Sequence, residues 1–330
     1  MKKSKIAING FGRIGRLTLR NLLNNPNIEV VAINDLTDTK TLAQLFQYDS
    51  AHRQFPGTVE VSNLGLIING VLIKTYAIKN PTELPWAELG VDTVLECTGI
   101  FRDKEKASMH IQAGAKRVIL SAPSKGPGVL TIVRGINDQD INATETVISN
   151  ASCTTNCLAP LVKVILDNWG IERAFMSTVH AYTGDQNLQD GPHKDLRRAR
   201  AAAVNIVPTT TGAANALALV IPEIAGKINA SSLRVPVITG SLVELMVVLE
   251  KTTDIATANA TFKAAAEGHF NGIMQYSEAP LVSSDIISNT HSTIFDAGLT
   301  MVSGNILKVT AWYDNEAGYS ARLAELAATV

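Results

Sequence analysis

The chain has 330 residues, 46% of them hydrophobic and 18% charged, a globular balance that excludes wholesale disorder. Its 29 Lys and Arg against 30 Asp and Glu leave a formal net charge of −1, which removes any global electrostatic drive toward nucleic acid or acidic lipid. Three cysteines (Cys97, Cys153 and Cys157) are too few for a disulfide scaffold and suit a reducing compartment, and the length predicts about two domains.

The N-terminus MKKSKIAINGFGRIG has a charged start but no apolar h-region, and no run approaches about 18 uninterrupted apolar residues, so a cytoplasmic protein without a membrane span is expected. Residues 4–9 predict a short strand, followed by a glycine turn and a helix through Leu23. A second buried strand is expected at 28–33 and a helix near 39–48. Residues 59–79 read as strands with a hairpin turn at Asn69-Gly70. VDTVLEC (91–97) predicts another strand, KEKASMHIQAGA a helix stopped near Gly114, and KRVILS the next strand. Strands alternating with helices argue for an α/β, Rossmann-type doubly wound parallel sheet.

Near residue 150 the texture changes. A helix is expected from about Thr154 to Trp169, then long β-type stretches at 172–182, 233–250 and 305–313. Helices at 256–267 and from about Glu316 complete the pattern. The second half therefore reads as an α+β domain on a mixed or antiparallel sheet, with no internal repeat or low-complexity tract.

Gly10-Phe11-Gly12-Arg13-Ile14-Gly15 fits G-x-G-x-x-G between a strand and a helix, with Asp35 20 residues beyond Gly15. Glycine lets the backbone approach a pyrophosphate, and the helix start offers N–H groups and partial positive charge. Asp35 would accept from the ribose hydroxyls and repel a 2′-phosphate, favouring NAD. An ordinary glycine turn followed by a capping Asp is the alternative.

Ser152-Cys153-Thr154-Thr155-Asn156-Cys157 opens the helix described above. A cysteine in a first helical turn is expected to have a lowered thiol pKa. His180, ending the apolar run TVHAYT, can supply an imidazolium that stabilises the thiolate and then acts as acid or base. A buried structural Cys and a satisfied core His remain the alternative. Cys157 and Cys97 read as packing residues, and no second ligand pair accompanies Cys153 and Cys157, so no metal is expected. The basic run 193–200, the hydroxyl-rich Pro208-Thr209-Thr210-Thr211-Gly212 and Arg234 together suggest a phosphorylated substrate. A solvated helix face or a nucleic-acid surface are the other readings of the basic run.

These segments resemble phosphorylating glyceraldehyde-3-phosphate dehydrogenase along essentially the whole chain: INGFGRIGR, INDLTD, YDSAH, LECTGIF, SNASCTTNCLAP, TVHAYTGDQ, HKDLRRARAA, PTTTGAA, EAPLVSSD and WYDNEAGYS. Erythrose-4-phosphate dehydrogenase shares the cysteine motif, but TVHAYTGDQ and PTTTGAA resemble the glyceraldehyde enzyme more. A non-catalytic NAD-binding relative is a further alternative.

The resemblance implies that Cys153 attacks the aldehyde, with His180 as base. A thiohemiacetal and a thioester follow, and inorganic phosphate releases an acyl phosphate. It implies Thr183, Asp185 and Arg234 on the substrate phosphate, and Ser152, Thr154, Arg198, Thr211 and Gly212 on the attacking phosphate. The glycine loop, with Arg13 and Ile14 on the pyrophosphate, would hold NAD together with Asp35, Lys79, Ser121, Asn315 and Tyr319. It further implies a cytoplasmic homotetramer without a dedicated nucleic-acid or membrane partner, and a discontinuous NAD-binding domain (1–152 plus 315–330) around a catalytic domain (153–314). Three positions depart from the pattern. Ala317 stands where Trp is usual and Arg53 where Gly is common. Gly191 stands where many NAD-specific members have Leu, which leaves NADP use open.

Overall fold

In the first half, short apolar runs too brief for helix periodicity become strands: β1 (Ser4–Asn9), β2 (Ile28–Asn34), β3 (Val59–Ser62), β4 (Gly65–Ile68), β5 (Val71–Tyr76), β6 (Thr93–Glu96), β7 (Arg117–Leu120), β8 (Leu130–Thr131) and β9 (Val147–Ser149). Helices α1 (Arg13–Leu22), α2 (Thr39–Gln47), α3 (Trp86–Leu89), α4 (Lys104–Ala107) and α5 (Met109–Gln112) lie between them in sequence. The structure is a computed structural model that describes residues 3–142 and 144–330. It forms two units: Met1–Ile132, Asp138–Ala151 and Ser320–Val330 in the first, Val133–Asn137 and Ser152–Tyr319 in the second. The sequence-based division differs from these limits at residues 133–137, at Ser152 and at 315–319.

The first unit is built on a nine-stranded sheet in the order β3-β4-β5-β2-β1-β6-β7-β9-β8. The ladders from β5 to β8 are parallel, and β3-β4-β5 is an antiparallel meander at one edge. The order running outward on both sides of β1 is the doubly wound pattern. Ile6, Ala7 and Ile8 of β1 are fully buried, as a central parallel strand covered on both faces requires. The hairpin turn falls at Asn69 (φ 50°) and Gly70 (φ 79°), both left-handed, which matches the twist of the flanking strands. The helix expected over 104–115 is broken at Ser108. The Lys104 carbonyl accepts both the Ser108 N–H at 3.0 Å and the Ser108 hydroxyl at 2.7 Å, and the segment divides there into α4 and α5. Arg53 adopts φ 65°, so the position where Gly is common is left-handed and costs an L-residue about 1–2 kcal/mol.

The second unit contains α6 (Cys153–Trp169), β10 (Arg173–Ala181), β11 (Val207–Thr209), α7 (Ala213–Ala218), β12 (Ile228–Val235), β13 (Ser241–Val248), α8 (Ile255–Glu267), β14 (Met274–Ser277), β15 (Thr293–Asp296), β16 (Met301–Ser303) and β17 (Ile306–Tyr313). The last helix, α9 (Ala317–Thr329), starts here and runs on into the first unit's segment. Its Leu323, Leu326 and Ala327 join the core around Ile6, Ile8 and Leu19. The sheet order is β11-β12-β10-β13-β17-β15-β14, with β16 on β17. The β10-β12 and β14-β15 ladders are parallel and the others antiparallel, so the sheet is mixed as expected. The stretch 233–250 is not one strand. Gly240 takes φ 92°, and a Cβ there would run into the Ser283 carbonyl oxygen, so the chain turns between β12 and β13. Asp38, Ser152 and Asp254 cap α2, α6 and α8 by accepting the N–H three residues on, each worth about 1 kcal/mol.

Candidate functional site

The three glycines of the first loop have different physical reasons. Gly10 has φ 91°, and a Cβ on it would lie 2.6 Å from the Thr98 nitrogen. A Cβ on Gly15 would strike the Gly10 carbonyl oxygen. Gly12, the N-cap of the ten-residue α1, has nothing within 4 Å of its Cβ direction. That empty direction belongs to a cavity of about 800 Å³ whose lining includes Asn9, Gly10, Gly12, Asp35, Lys79 and Thr98. A helix start beside open space that only a glycine leaves clear fits the pyrophosphate of a dinucleotide.

Asp35 is fixed at the rim. Its Oδ2 accepts from the Phe11 N–H at 2.7 Å and its Oδ1 from the Thr37 N–H at 2.9 Å. Each carboxylate oxygen retains a lone pair for a ribose hydroxyl. The Arg13 guanidinium is engaged in a bidentate pair with Asp49, while the cavity meets the backbone at Gly10 and Gly12. Phe11 is buried against Phe46, and Ile14 packs on the same core. The Ser121 hydroxyl bonds to the thiol of Cys97, which lines the cavity and is pushed up to about 12 by burial.

These contacts separate the glycines experimentally. Gly12→Ala should leave thermal stability near wild type and weaken NAD binding about tenfold or more. Gly10→Ala should lower unfolding free energy by at least about 1–3 kcal/mol through backbone strain and overlap. Calorimetry and NAD titration of both variants check this; equal melting temperatures would count against the assignment.

In the second unit, Cys153 is the first residue of α6, and His180 is the penultimate residue of β10. Cys153 Sγ lies 3.5 Å from His180 Nε2. His180 Nδ1 is 2.7 Å from the Ala181 carbonyl oxygen. A carbonyl only accepts, so Nδ1 carries a hydrogen and Nε2 is the ring nitrogen that faces the thiol. Burial, and then the Arg234 guanidinium, push the imidazole down to about 3. Burial pushes the Cys153 thiol up, against the opposing pull of Arg234 and of nearby N–H groups. Both shifts run against the expected thiolate–imidazolium pair, because burial disfavours the charged form of either group. The helix start and Arg234 favour the thiolate, while Arg234 opposes a cation on the imidazole.

The Tyr313 hydroxyl is 2.9 Å from both Thr154 Oγ1 and Thr178 Oγ1, and Thr178 donates to the Leu242 carbonyl. Each hydroxyl has one proton, so Tyr313 donates to Thr178 and Thr154 donates to Tyr313. Burial holds the Tyr313 phenol well above its ordinary value, so it keeps that proton. The ring meets His180 edge-on at 5.9 Å. Thr154 Oγ1 is thereby left with lone pairs to offer.

Parallel pairing of β10 with β12 sets His180 directly beside Arg234, and β11 pairs Val207 with Arg234. Arg234 donates to Thr183 Oγ1 at 3.0 Å and to the Ala181 carbonyl at 3.3 Å, while its Nε is buried with no hydrogen-bond partner. An orphaned guanidinium N–H is what an anion site needs. Arg198 donates through Nε to Thr209 at 2.9 Å and pairs with Asp185. Asp185, expected on a substrate phosphate, is itself an anion and instead orients Arg198. Ser152 Oγ serves as the α6 cap and contacts Thr155 Oγ1 at 2.7 Å. Thr211 Oγ1 accepts from the Ala213 N–H, and Gly212 caps α7 with open space beside it.

Asn315 Oδ1 accepts from Ser241 Oγ at 2.9 Å and from the Gly240 N–H at 3.2 Å, which turns its amide nitrogen outward. Tyr319 is buried in the first turn of α9. Ala317, where Trp is usual, is buried with its N–H on Asp314. Tyr313, Thr178 and Ser241 were not singled out from sequence. The alternation of buried positions along β17, which points Tyr313 inward with Val309 and Ala311, is the signal that marks the first of them. Among the described residues no group of three or more potential ligands could hold a metal, and no helix is long and apolar enough to cross a membrane.

Comparison with known proteins agrees with this geometry. Residues 4–104 match the domain family described as glyceraldehyde 3-phosphate dehydrogenase, NAD binding domain, and 152–315 match its C-terminal domain. Glyceraldehyde-3-phosphate dehydrogenase of Thermotoga maritima is 58% identical over 325 residues, covering 98% of this chain and 97% of the relative. The enzymes so named from Clostridium acetobutylicum (52% over 326 residues, 97% and 96%) and Geobacillus stearothermophilus (53% over 328 residues, 99% and 98%) are similar throughout. With both domains matched, and more than half of its residues shared with such relatives along nearly its whole length, the chain belongs to the glyceraldehyde-3-phosphate dehydrogenase family.

Proposed function

We propose that this chain oxidises D-glyceraldehyde 3-phosphate to 1,3-bisphosphoglycerate with NAD and inorganic phosphate, as a glycolytic enzyme. The observation that carries this reading is the Cys153 Sγ 3.5 Å from His180 Nε2, beside the unpartnered Nε of Arg234. Cys153 Sγ adds to the aldehyde carbon while its proton moves to His180 Nε2, which passes that same proton to the carbonyl oxygen to complete the thiohemiacetal and is left free to act as base. The backbone N–H of Cys153, in the first turn of α6, stabilises the developing oxyanion. Bound NAD supplies a hydride acceptor, held by the α1 loop, Asp35, Lys79, Ser121, Asn315 and Tyr319. His180 Nε2 removes the hydroxyl proton as the thioester forms. Phosphate then attacks the acyl carbon, and the Cys153 thiolate leaves and regains a proton from His180.

The substrate's own phosphate assists the base. Burial holds the imidazole down, and the charges of Arg234 and Arg198 add to it. A dianion on Arg234 and Thr183 offsets the part due to those charges and raises His180 when the aldehyde is in place. Arg198, oriented by Asp185, together with Ser152, Thr154, Thr211 and Gly212, receives the attacking phosphate. Thr154 meets it as an acceptor of a phosphate O–H.

We assign NAD binding to 1–152 plus 315–330 and the catalytic role to 153–314. We also propose a cytoplasmic homotetramer. Its support is an exposed apolar surface on the second sheet, where Phe175 (64% exposed) and Met246 (48%) are register partners on β10 and β13. Initial rates with glyceraldehyde 3-phosphate and erythrose 4-phosphate, each with and without phosphate and with NAD or NADP, test the reading. The expected result is phosphate-dependent NADH formation with the highest kcat/KM on the three-carbon aldehyde. Phosphate-independent turnover favouring erythrose 4-phosphate would replace it with the sister activity.

A further inference from the structure

We infer that Glu96 is a positioning residue for NAD: its side-chain oxygens hold Asn9 and Thr98 in the wall of the dinucleotide cavity before the cofactor arrives. This rests on the reading of that cavity as the NAD site.

Asn34, Asn9 and Glu96 are the last residues of β2, β1 and β6, and the parallel register sets them side by side across three adjacent strands. All three are buried. A buried polar row at the carboxyl ends of parallel strands costs free energy unless each member is paired. Here the partners fix the direction of the hydrogen bonds. The Ile78 N–H donates to Asn34 Oδ1 at 2.9 Å, and the Ile78 carbonyl accepts from Asn34 Nδ2 at 2.9 Å, so the backbone decides which amide atom is which. Asn34 Nδ2 gives its second hydrogen to Asn9 Oδ1 at 2.7 Å. That leaves Asn9 Nδ2 to donate to Glu96 Oε2 at 2.6 Å.

From the other side, the indole of Trp86 in α3 can only donate, and it meets Nδ1 of His110 in α5 at 3.0 Å. His110 therefore carries its hydrogen on Nε2, directed at Glu96 Oε2 at 3.1 Å. Glu96 Oε1 accepts the Thr98 N–H at 2.8 Å and the Thr98 hydroxyl, which in turn accepts the Ile100 N–H at 3.0 Å. Donors thus face both oxygens of Glu96. A glutamine there would turn its NH2 toward the Thr98 N–H in one orientation, and toward Asn9 Nδ2 and His110 Nε2 in the other. None of those three donors can reverse.

Asn9, Asn34, Ile78, Thr98 and Ile100 line the cavity, whereas Trp86 and His110 stand behind the row and do not. Thr98 is also pressed against the glycine loop, its nitrogen 2.6 Å from where a Cβ on Gly10 would sit. Glu96 therefore acts on the cofactor through the wall, and the far half of the row serves as its anchor.

The test uses the full-length protein and needs no turnover. NAD Kd and melting temperature are measured for wild type, Glu96→Gln, Trp86→Phe and Gly12→Ala. Glu96→Gln should raise the NAD Kd about tenfold, the loss of roughly one buried hydrogen bond. Trp86→Phe removes the indole donor but leaves the bonds from Asn9, Thr98 and His110 to Glu96. It should melt lower and keep its Kd within twofold of wild type. The inference is overturned if Glu96→Gln binds NAD within twofold of wild type. It is equally overturned if Trp86→Phe weakens NAD as much as Glu96→Gln, since affinity would then report only a loosened core. Should Glu96→Gln not fold, amide exchange at Thr98 in cofactor-free wild type decides. Slowing of at least about tenfold against an open amide is expected, and exchange at the open rate overturns the inference. Gly12→Ala marks the cavity itself. An unchanged Kd in that variant would take NAD out of this cavity and remove both the reading and the inference. A weakened Gly12→Ala beside an unaffected Glu96→Gln removes the inference alone.

Discussion

Cys153→Ser should lower kcat by at least about 10⁴-fold while leaving the NAD Kd unchanged. The reason lies in the charge state of the pair. His180, held down to about 3 by burial and Arg234, is a weak base in the free protein. It can take a proton from a thiol whose acidity rises as the C–S bond forms, and from a phosphate-loaded site in which Arg234 is neutralised. It cannot do so from an alcohol, whose pKa is many units higher. The serine variant keeps α6 and its Ser152 cap, so the fold and the glycine loop are unaffected. NADH formation from glyceraldehyde 3-phosphate plus phosphate, with NAD titration in parallel, is the measurement. Turnover within about a hundredfold of wild type would remove Cys153 from the mechanism.

His180→Asn should reduce kcat about 10²–10⁴-fold, the usual range for a general acid–base group. It also has a signature in stability that separates it from the first variant. The ring is about 3 in the folded protein against an ordinary 6.5, so between those values the unfolded chain binds the proton that the native state refuses. The stability due to the buried neutral ring is fully present above about pH 6.5 and is lost as pH falls toward about 3. His180→Asn should therefore flatten the fall in unfolding free energy across that window, although it is less stable near neutral pH. Denaturant titrations of both proteins from pH 7 to 4 read the difference. Parallel curves would mean that His180 is charged in the native state and that burial does not control it.

Much of the fold was legible because it depends on local pattern. Apolar runs of four to seven residues, spaced by helix-length segments, specify parallel strands with crossovers wherever they occur, and the order around β1 follows. The Asn69-Gly70 turn and a helix opening at the cysteine segment needed only the residues themselves. Two elements divide where the local pattern runs on: the helix at Ser108, and 233–250 at Gly240, which is pressed against Ser283.

The residues of the candidate site divide in the same way. The glycine spacing, Asp35, and a cysteine amid polar neighbours at a helix start identify the chemistry by residue type, and type is written in the chain. Which side chains meet was decided by strand register. Arg234 follows His180 by 54 residues, and only the β10-β12 ladder sets them side by side. The same holds for Asp185 being turned to Arg198, for the proton direction through Tyr313, and for Ser241 bridging Ala181 and Asn315. The charge of the Cys153–His180 pair belongs to this second class. A helix start beside a thiol is visible in sequence and argues for a thiolate. The desolvation that opposes it comes from the chain packed around the pair, and that sum exists only after folding.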